Sequence, residues 1–399
     1  MAARPDRRAP LTARDLNRAT LSRQGLLEPI RASTAGDAVT RLGSLQAQHP
    51  EWPPVALASR AADATTADLA GAIERREVVR SSLMRITIHV VVAADLWPMF
   101  AVCQPLRLGQ WSVLTKVDPV TSELGSRLHA AHAVAVAALR ERPRSSLEID
   151  RLLSTEIGLA DGDFTRAAWR EPETAVPVRV AWRHFAAFVP LVHVPHDGEG
   201  YGRSRYALAA DWLGGREEPT LEQARRHVAR RYLAAFGPAS AEDLVHYVGR
   251  GRGGIGAWRR AIAELGEEVV TLEAADGSPL YDLADAPRPG ADAPAPPRLL
   301  ARWDSALLSH APKRRQRIIA DEHRSAVYSK NADVLPTFLV DGVVAGTWDL
   351  ARADGGVRIG LRPFGTLAAS VREALVAEAE RVLALVAPDA RRRDAVLAG

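Results

Sequence analysis

Two glutamines separated by one small residue, Gln46-Ala47-Gln48, stand directly before His49 and Pro50. A side-chain amide has no useful basicity, but it offers a carbonyl acceptor and an NH2 donor. Two such amides can orient a water molecule through their oxygens while their NH2 groups contact a phosphate. Positioning of this kind would serve the hydrolysis of a bond whose leaving group is already activated. The alternative is a pair of solvated glutamines before a proline that ends a helix.

The other short motifs are weaker. Residues 249–254 match GxGxxG, but the preceding residues, AEDLVHYV, have helical spacing where a dinucleotide site requires a strand. We interpret this segment as a flexible basic turn whose two arginines could touch phosphate. His129/His132 and His193/His196 are HxxH pairs without a third nearby ligand, so we expect surface or satisfied histidines.

Cys103 is the single cysteine, which excludes internal disulfides, cysteine-based zinc sites and iron–sulfur clusters held by four thiolates. The sequence has neither a GxSxG motif nor a Walker A loop. We therefore expect no metal and no cofactor.

The chain has 399 residues, of which 47% are hydrophobic and 25% charged, values typical of a globular protein. It contains no apolar run long enough for a membrane span, and its basic start lacks the apolar core of a secretory signal. A cytoplasmic protein without a membrane partner is expected. The formal net charge is +4, and nearly all basic residues are arginine. GC-rich codons or selection for phosphate contacts could each explain that arginine bias.

The elements around the glutamines predict a winged helix. Helices are expected over 12–27, 37–48 and 65–79, followed by a strand over 82–92 that is rich in β-branched residues. In this arrangement the glutamines lie at the end of the second helix.

The remaining elements repeat this order of helices and a strand up to a linker, after which strands predominate. They are helices over 122–141 and 145–155, a strand over 188–195, helices over 220–235 and 255–265, and a strand over 268–273. A linker is expected at 285–298. Beyond it lie strands over 299–305, 335–340, 343–350 and 356–362, a hairpin turn at Asp341-Gly342, a helix over 366–387 and a frayed tail at 389–393.

The predicted fold class is therefore α+β, with tandem winged-helix domains and a C-terminal β-rich domain. The expected divisions are 1–115, 116–217, 218–294 and 295–399, the first three being winged-helix domains.

Four separated stretches resemble the AlkZ/YcaQ family of bacterial winged-helix DNA glycosylases. The resemblance rests on the segments LQAQHP (45–50), SLMRITIHVV (82–91), RWDSALLSH (302–310) and PTFLVDGVVAGTW (336–348). It extends over residues 11–385 and is least distinctive in the middle third.

The resemblance implies what the glutamines would do. The Gln-apolar-Gln motif is similar to the AlkZ branch, which excises bulky N7-alkylguanine adducts of genotoxic natural products and unhooks interstrand crosslinks, often as self-resistance in actinobacteria. Gln46 and Gln48 would be catalytic. A purine alkylated at N7 is cationic and leaves readily, so an oriented water suffices.

The partner implied is double-stranded DNA that carries alkylated purines. Arg85 and His89, expected to alternate on one strand face, could line the site or cap the core. The residues expected to contact DNA are Arg85, His89, His310, Lys313, Arg314, Arg315 and Arg317.

We expect a monofunctional hydrolase, because the chain has only three lysines and none lies near Gln46 in sequence. Repeats within one chain favour a monomer. Two other functions remain open: a winged-helix DNA-binding regulator without catalysis, and a protein that sequesters the free natural product.

Overall fold

A computed structural model describes residues 9–115, 123–157, 181–195, 204–215, 218–249, 254–329, 333–353 and 355–398. Lys116, His196, Lys330 and the interior of the GxGxxG segment lie outside the described residues.

Helices and strands alternate along the described residues. The helices are α1 (Ala13–Arg23), α2 (Ala35–Leu42), α3 (Trp52–Ala58), α4 (Thr66–Glu74), α5 (Leu96–Thr115), α6 (Glu123–Glu141), α7 (Ser146–Ile157), α8 (Ala181–Phe188), α9 (Ala209–Leu213), α10 (Leu221–Phe236), α11 (Ala241–Val248), α12 (Gly254–Ala263), α13 (Ser305–Leu308), α14 (Arg324–Val327) and α15 (Ala369–Val386). The strands are β1 (Leu45–Gln46), β2 (Val78–Ser82), β3 (Ile88–Val92), β4 (Leu191–Pro195), β5 (Ser204–Leu208), β6 (Val269–Glu273), β7 (Pro279–Leu283), β8 (Arg298–Leu300), β9 (Thr337–Val340), β10 (Val343–Ala353), β11 (Gly356–Pro363) and β12 (Arg392–Leu397).

The first sheet positions the glutamine motif. Its strand order is β1-β3-β2-β4-β5, so β1 lies at one edge. The antiparallel pairing of β1 with β3 places Leu45 opposite Val90 and Gln46 opposite His89. Arg80 on β2 lies opposite His193 on β4, which joins strands from the first and second predicted domains in one sheet.

The C-terminal part is built on a second sheet with the order β12-β11-β10-β9-β8. A two-residue turn at Asp341-Gly342 joins β9 to β10, as the sequence predicts, and both residues have positive φ (48° and 79°). Trp348, Leu361 and Leu383 belong to one hydrophobic core that also contains Leu42, Leu45 and Val90. The glutamine strand and the C-terminal sheet thus share a core.

Local capping explains why several helices begin where they do. Thr12, Thr65, Thr220 and Ser240 each accept a hydrogen bond from the backbone three residues later, and the side chain at that position bonds back to the cap. This reciprocal capping box satisfies amide groups that the first helical turn leaves unpaired.

Three predicted elements differ from the structure. The second helix ends at Leu42 instead of residue 48, because Gly43 with φ 78° terminates it; Gln46 follows on β1 and Gln48 two residues after that strand. The strand expected over 82–92 begins only at Ile88, since positive φ angles at Arg85 and Ile86 form a turn between β2 and β3. The tail expected to fray at 389–393 instead leads into β12, which pairs in parallel with β11.

The fold class is mixed α+β, as predicted. Within the described ranges, we find no helix with the length and apolar character that a membrane crossing requires.

Candidate active site

Gln46 and Gln48 lie at the sheet edge with different exposure. Gln46 is 7% exposed, whereas Gln48 is exposed to solvent. The main-chain amide of Ala47 between them donates to Ile88 O at 2.8 Å. The motif is therefore fixed by its pairing with β3, and not by a helix.

The two glutamine amides are both oriented by the segment that starts β3. Thr87 Oγ1 lies 3.1 Å from Met84 O and 3.4 Å from Gln46 Oε1, so these two oxygens share its one proton. Ile88 N donates to Gln48 Oε1 at 3.2 Å. A carbonyl oxygen has two lone pairs, so each amide oxygen keeps acceptor capacity for a water molecule. The site can therefore hold a water by its oxygens while the amide NH2 groups remain available as donors.

His89 lies opposite Gln46 and is buried. Burial, with the charge of Arg85 beside it, lowers the pKa of His89 to about 3. His89 Nε2 lies 3.3 Å from Arg85 Nη2, and Nδ1 lies 3.0 Å from Thr87 O. Arginine only donates, so Nε2 accepts and Nδ1 carries the proton that is donated to Thr87 O. The neutral His89 thus holds the main chain of Thr87, whose hydroxyl lies beside Gln46 Oε1.

Arg85 lies in the turn between β2 and β3, in the left-handed region with φ 53°. Its guanidinium donates to Tyr247 O and lies 5.7 Å from the centre of the Tyr247 ring. Gly249 packs against this turn, since a Cβ there would lie 3.4 Å from the Arg85 main chain, and 2.6 Å from Leu106 on α5. Arg85 and His89 are in contact, but Arg85 lies in the turn and His89 lies on β3. They therefore do not alternate on one strand face, contrary to the sequence prediction.

A narrow cleft opens beside Gln46. It has room for about one water molecule, and its lining includes Gln46, Arg60, Arg302, Asp304 and Ser305. Residues from the C-terminal third therefore complete the surroundings of a motif that lies near residue 46.

A buried ion pair forms the floor of this cleft. Arg60 Nη2 donates to Asp304 Oδ1 at 2.6 Å, and both side chains are at most 1% exposed. Asp304 also accepts from Ala306 N at 2.8 Å as the N-cap of α13. Ser305 Oγ donates to Ser44 O at 3.2 Å, two residues before Gln46. Ser305, the residue after Asp304, thus holds the main chain that leads into β1.

An aromatic stack that the sequence prediction missed lies beside the cleft. The rings of His49 and Trp303 are stacked, with centroids 5.1 Å apart and planes inclined by 26°. The Arg302 guanidinium carbon lies 4.9 Å from the centre of the Trp303 ring. The signal available in the sequence was the adjacency of His49 to Gln48 together with the RWD segment, but their contact spans the fold.

The basic segment 313–317 is engaged with the protein itself. Lys313 is 62% exposed and pairs with Glu242 at 2.6 Å. Arg314 Nε lies 3.5 Å from the buried carboxylate of Asp243, and Arg315 lies 4.6 Å from the centre of the Tyr328 ring.

Two further predicted DNA contacts, His310 and Arg317, are buried. Arg317 Nη1 donates to Pro238 O at 3.1 Å, and His310 Nε2 lies 3.0 Å from Phe236 O. Burial, with the charge of Arg317, lowers the pKa of His310 to about 3. A buried donor that already bonds to a main-chain oxygen is not presented to a phosphate, so this conformation disfavours direct DNA contact by these two residues.

The predicted hairpin turn at Asp341-Gly342 is docked on α1. Arg14 and Arg18 both pair with Asp341, and Asn17 Nδ2 donates to Gly342 O at 2.7 Å. The turn therefore faces the protein instead of projecting from it.

The histidine pairs do not form metal sites among the described residues, where no cluster of three or more candidate ligands occurs. His129 is exposed, as expected. His132 is buried against Phe185 and Phe188, and burial lowers its pKa to about 4.

Known proteins are similar to this chain in sequence and in fold. The sequence profile of the AlkZ-like DNA glycosylases matches residues 39–385. An interstrand DNA cross-link repair glycosylase from Streptomyces sahachiroi is 27% identical over 339 residues, which are 81% of this chain and 84% of that protein. The solved structure of Streptomyces sahachiroi DNA glycosylase AlkZ is similar with a TM-score of 0.78 at 21% identity, over 98% of this chain and 100% of that one.

The enzyme is a DNA glycosylase. The chain belongs to the AlkZ-like DNA glycosylase family, as its resemblance in the glutamine motif and the C-terminal third indicates.

Proposed function

We propose that the protein is a monofunctional DNA glycosylase that hydrolyses the N-glycosidic bond of bulky, cationic N7-alkylguanine adducts in double-stranded DNA. Unhooking of interstrand crosslinks and self-resistance to a genotoxic natural product are part of the proposal. The observation that carries it is the pair of glutamine amides whose oxygens lie within hydrogen-bond distance of residues 87 and 88, with Gln46 lining the cleft.

The proposed chemistry follows from what amides can do. Gln46 and Gln48 position a water beneath the anomeric carbon and stabilise an oxocarbenium-like sugar through their dipoles. The C1′–N9 bond breaks, its electron pair neutralises the alkylated guanine, and the water oxygen bonds to C1′. The proton that this water loses passes to solvent, since neither amide is a base. The neutral His89 has a pKa of about 3 and is not the acceptor. Such a site suits a lesion whose base is a good leaving group. It does not hydrolyse undamaged nucleosides.

Hydrolysis without a lyase step fits the surroundings of the motif. Lys313, the one lysine among the described residues, is paired with Glu242 and does not line the cleft. An amine nucleophile for strand cleavage is therefore not part of the described site.

DNA would reach this site across the surface around β1. We propose that the exposed Lys313 contacts phosphate, and that Arg314 and Arg315 add positive potential behind it. Arg85, His89, His310 and Arg317 would act by holding the interior in place. The division into winged-helix units 1–115, 116–217 and 218–294 with a β-rich unit 295–399, and a monomeric enzyme, stay predictions.

The decisive experiment measures base release from a duplex with a single N7-alkylguanine, detected as alkali-cleavable abasic sites at single turnover. We expect release by the wild type and a loss of about 10²-fold in both Gln46→Ala and Gln48→Ala, with DNA binding retained. Gln104→Ala, on the half-buried face of α5, is the matched control and should keep the wild-type rate. Equal rates in all three variants would assign the chemistry elsewhere.

The same preparation separates the two alternatives. A DNA-binding regulator would bind the duplex tightly and release no base from any lesion. A sequestering protein would bind the free natural product with little dependence on salt, whereas binding to DNA through several phosphates weakens by orders of magnitude between low and moderate salt.

A further inference from the structure

The stack formed by Arg302, Trp303 and His49 is unusual because its outer member is exposed. His49 is solvent-exposed, yet its ring lies nearly parallel to Trp303 at 5.1 Å. An exposed histidine contributes little to a hydrophobic core. Its stacked orientation instead extends the flat surface of Trp303 towards solvent.

The protein holds this stack against conformational strain. Trp303 has φ 54°, a left-handed conformation that is an outlier for a bulky residue. It is kept there by Trp303 N, which donates to Val334 O at 3.0 Å, and by Arg302, whose Nε donates to Asp333 Oδ1 at 2.8 Å. Residues held in such conformations by their surroundings concentrate at ligand sites.

The stack is continuous with the cleft beside the glutamines. Arg302 lines that cleft together with Gln46, and His49 is the residue after Gln48. A group bound against His49 would therefore lie next to the site proposed for hydrolysis.

We propose that the Arg302–Trp303–His49 stack is a subsite for a planar aromatic group, which packs on the exposed face of His49. This inference rests on the proposed glycosylase function and adds a specificity determinant to it. Planar rings stack favourably on an aromatic side chain, and this holds for every base as well as for polycyclic groups. The aromatic group has two sources: the aromatic part of a bulky adduct, or a base beside the lesion.

The test compares three duplexes that differ only in the N7 substituent of one guanine: methyl, cyclohexylmethyl or naphthylmethyl. The last two are similar in bulk, and only the naphthyl group is aromatic. Single-turnover rates and dissociation constants, the latter by fluorescence anisotropy, are measured for the wild type, His49→Ala and His49→Phe. The matched control is His323→Ala, which removes another partly exposed histidine that contacts an aromatic ring, Phe364, at 4.5 Å.

We expect His49→Ala to weaken binding of the naphthylmethyl duplex about tenfold, with less than a twofold change for the cyclohexylmethyl duplex. His49→Phe should restore binding, because it keeps a planar ring. If His49→Ala instead weakens all three duplexes about tenfold and phenylalanine restores them, the group on the stack is a DNA base. His323→Ala should leave every value unchanged.

The inference is overturned if His49→Ala changes no dissociation constant by more than twofold, or if phenylalanine fails to restore the loss. Failure of the glycosylase proposal has a different signature, since the wild type would then release no base from any duplex. The binding measurements would still decide the role of the stack.

Discussion

Arg60 and Asp304 are separated by 244 positions in the chain, yet their charged groups meet at 2.6 Å in the interior. Arg60 also donates to Ala56 O within the turn that ends α3, and Asp304 caps α13. One ion pair therefore joins the glutamine-bearing region to the segment that supplies Arg302 and Trp303 to the cleft.

Loss of this ion pair should destabilise the fold severely. Arg60→Met leaves the Asp304 carboxylate buried without its cation, and we expect a loss of about 3–5 kcal/mol in the free energy of unfolding. Urea denaturation measures it. The control is Arg75→Met at the exposed Arg75–Glu77 pair, where the loss should stay below about 1 kcal/mol. Similar losses at the two sites would show that the buried pair does not join the two regions.

The hydroxyl of Thr87 should orient Gln46. Thr87→Val keeps the shape of the side chain and removes the donor to Gln46 Oε1, so we expect single-turnover base release to fall about tenfold with DNA affinity retained. Thr87→Ser keeps the hydroxyl and should recover most of the rate. A valine variant that keeps the wild-type rate would show that the hydroxyl does not orient Gln46.

Stability should decrease as the pH falls from 6.5 towards 5. Burial lowers the pKa of His89 and His310 to about 3 and that of His132 to about 4, against 6.5 for an ordinary histidine. Below pH 6.5 these histidines bind protons in the unfolded chain but not in the folded chain, so acid favours unfolding. Each group contributes up to about 1.4 kcal/mol per pH unit in this window.

Urea denaturation between pH 5 and pH 8 measures this dependence. His132→Phe should reduce this pH dependence by the contribution of about one proton. The substitution breaks no hydrogen bond at the buried Nε2 of His132, because that atom has no hydrogen-bond partner among the described residues. A free energy of unfolding that is constant between pH 5 and pH 7 would contradict the burial of these histidines.

The turn at Asp341-Gly342 should tolerate no side chain at its second position. A Cβ on Gly342 would lie 2.5 Å from Arg18 Nη1 and 2.6 Å from Asn17 Oδ1, and φ is 79°. Gly342→Ala should therefore cost more than Gly214→Ala, where φ is 82° but no atom lies within 4 Å. We expect about 1 kcal/mol for the strain at Gly214 and at least 2 kcal/mol at Gly342, measured as the difference in unfolding free energy. Equal costs would show that the turn is not docked on α1.

Local patterns in the sequence predicted much of the fold. Capping residues such as Thr12 and Thr220 mark where α1 and α10 begin, and the strands around Asp341-Gly342 follow from β-branched residues that flank a turn. These elements depend on interactions between residues a few positions apart, which a short window contains. The resemblance of the glutamine motif to a known family likewise needed only its residue types and order.

The sequence by itself therefore determined the family, the helices with strong caps and the identity of the two glutamines. Only the tertiary structure decided that Gln46 lies on a strand and Gln48 just after it, because two-residue β1 exists through pairing with β3, some forty positions away. It also decided that Arg60, Arg302, Trp303 and Asp304 surround Gln46 and His49, and that His310 and Arg317 are buried. Strand pairing, burial and ion pairing join residues that are distant in the chain, so no local spacing reveals them.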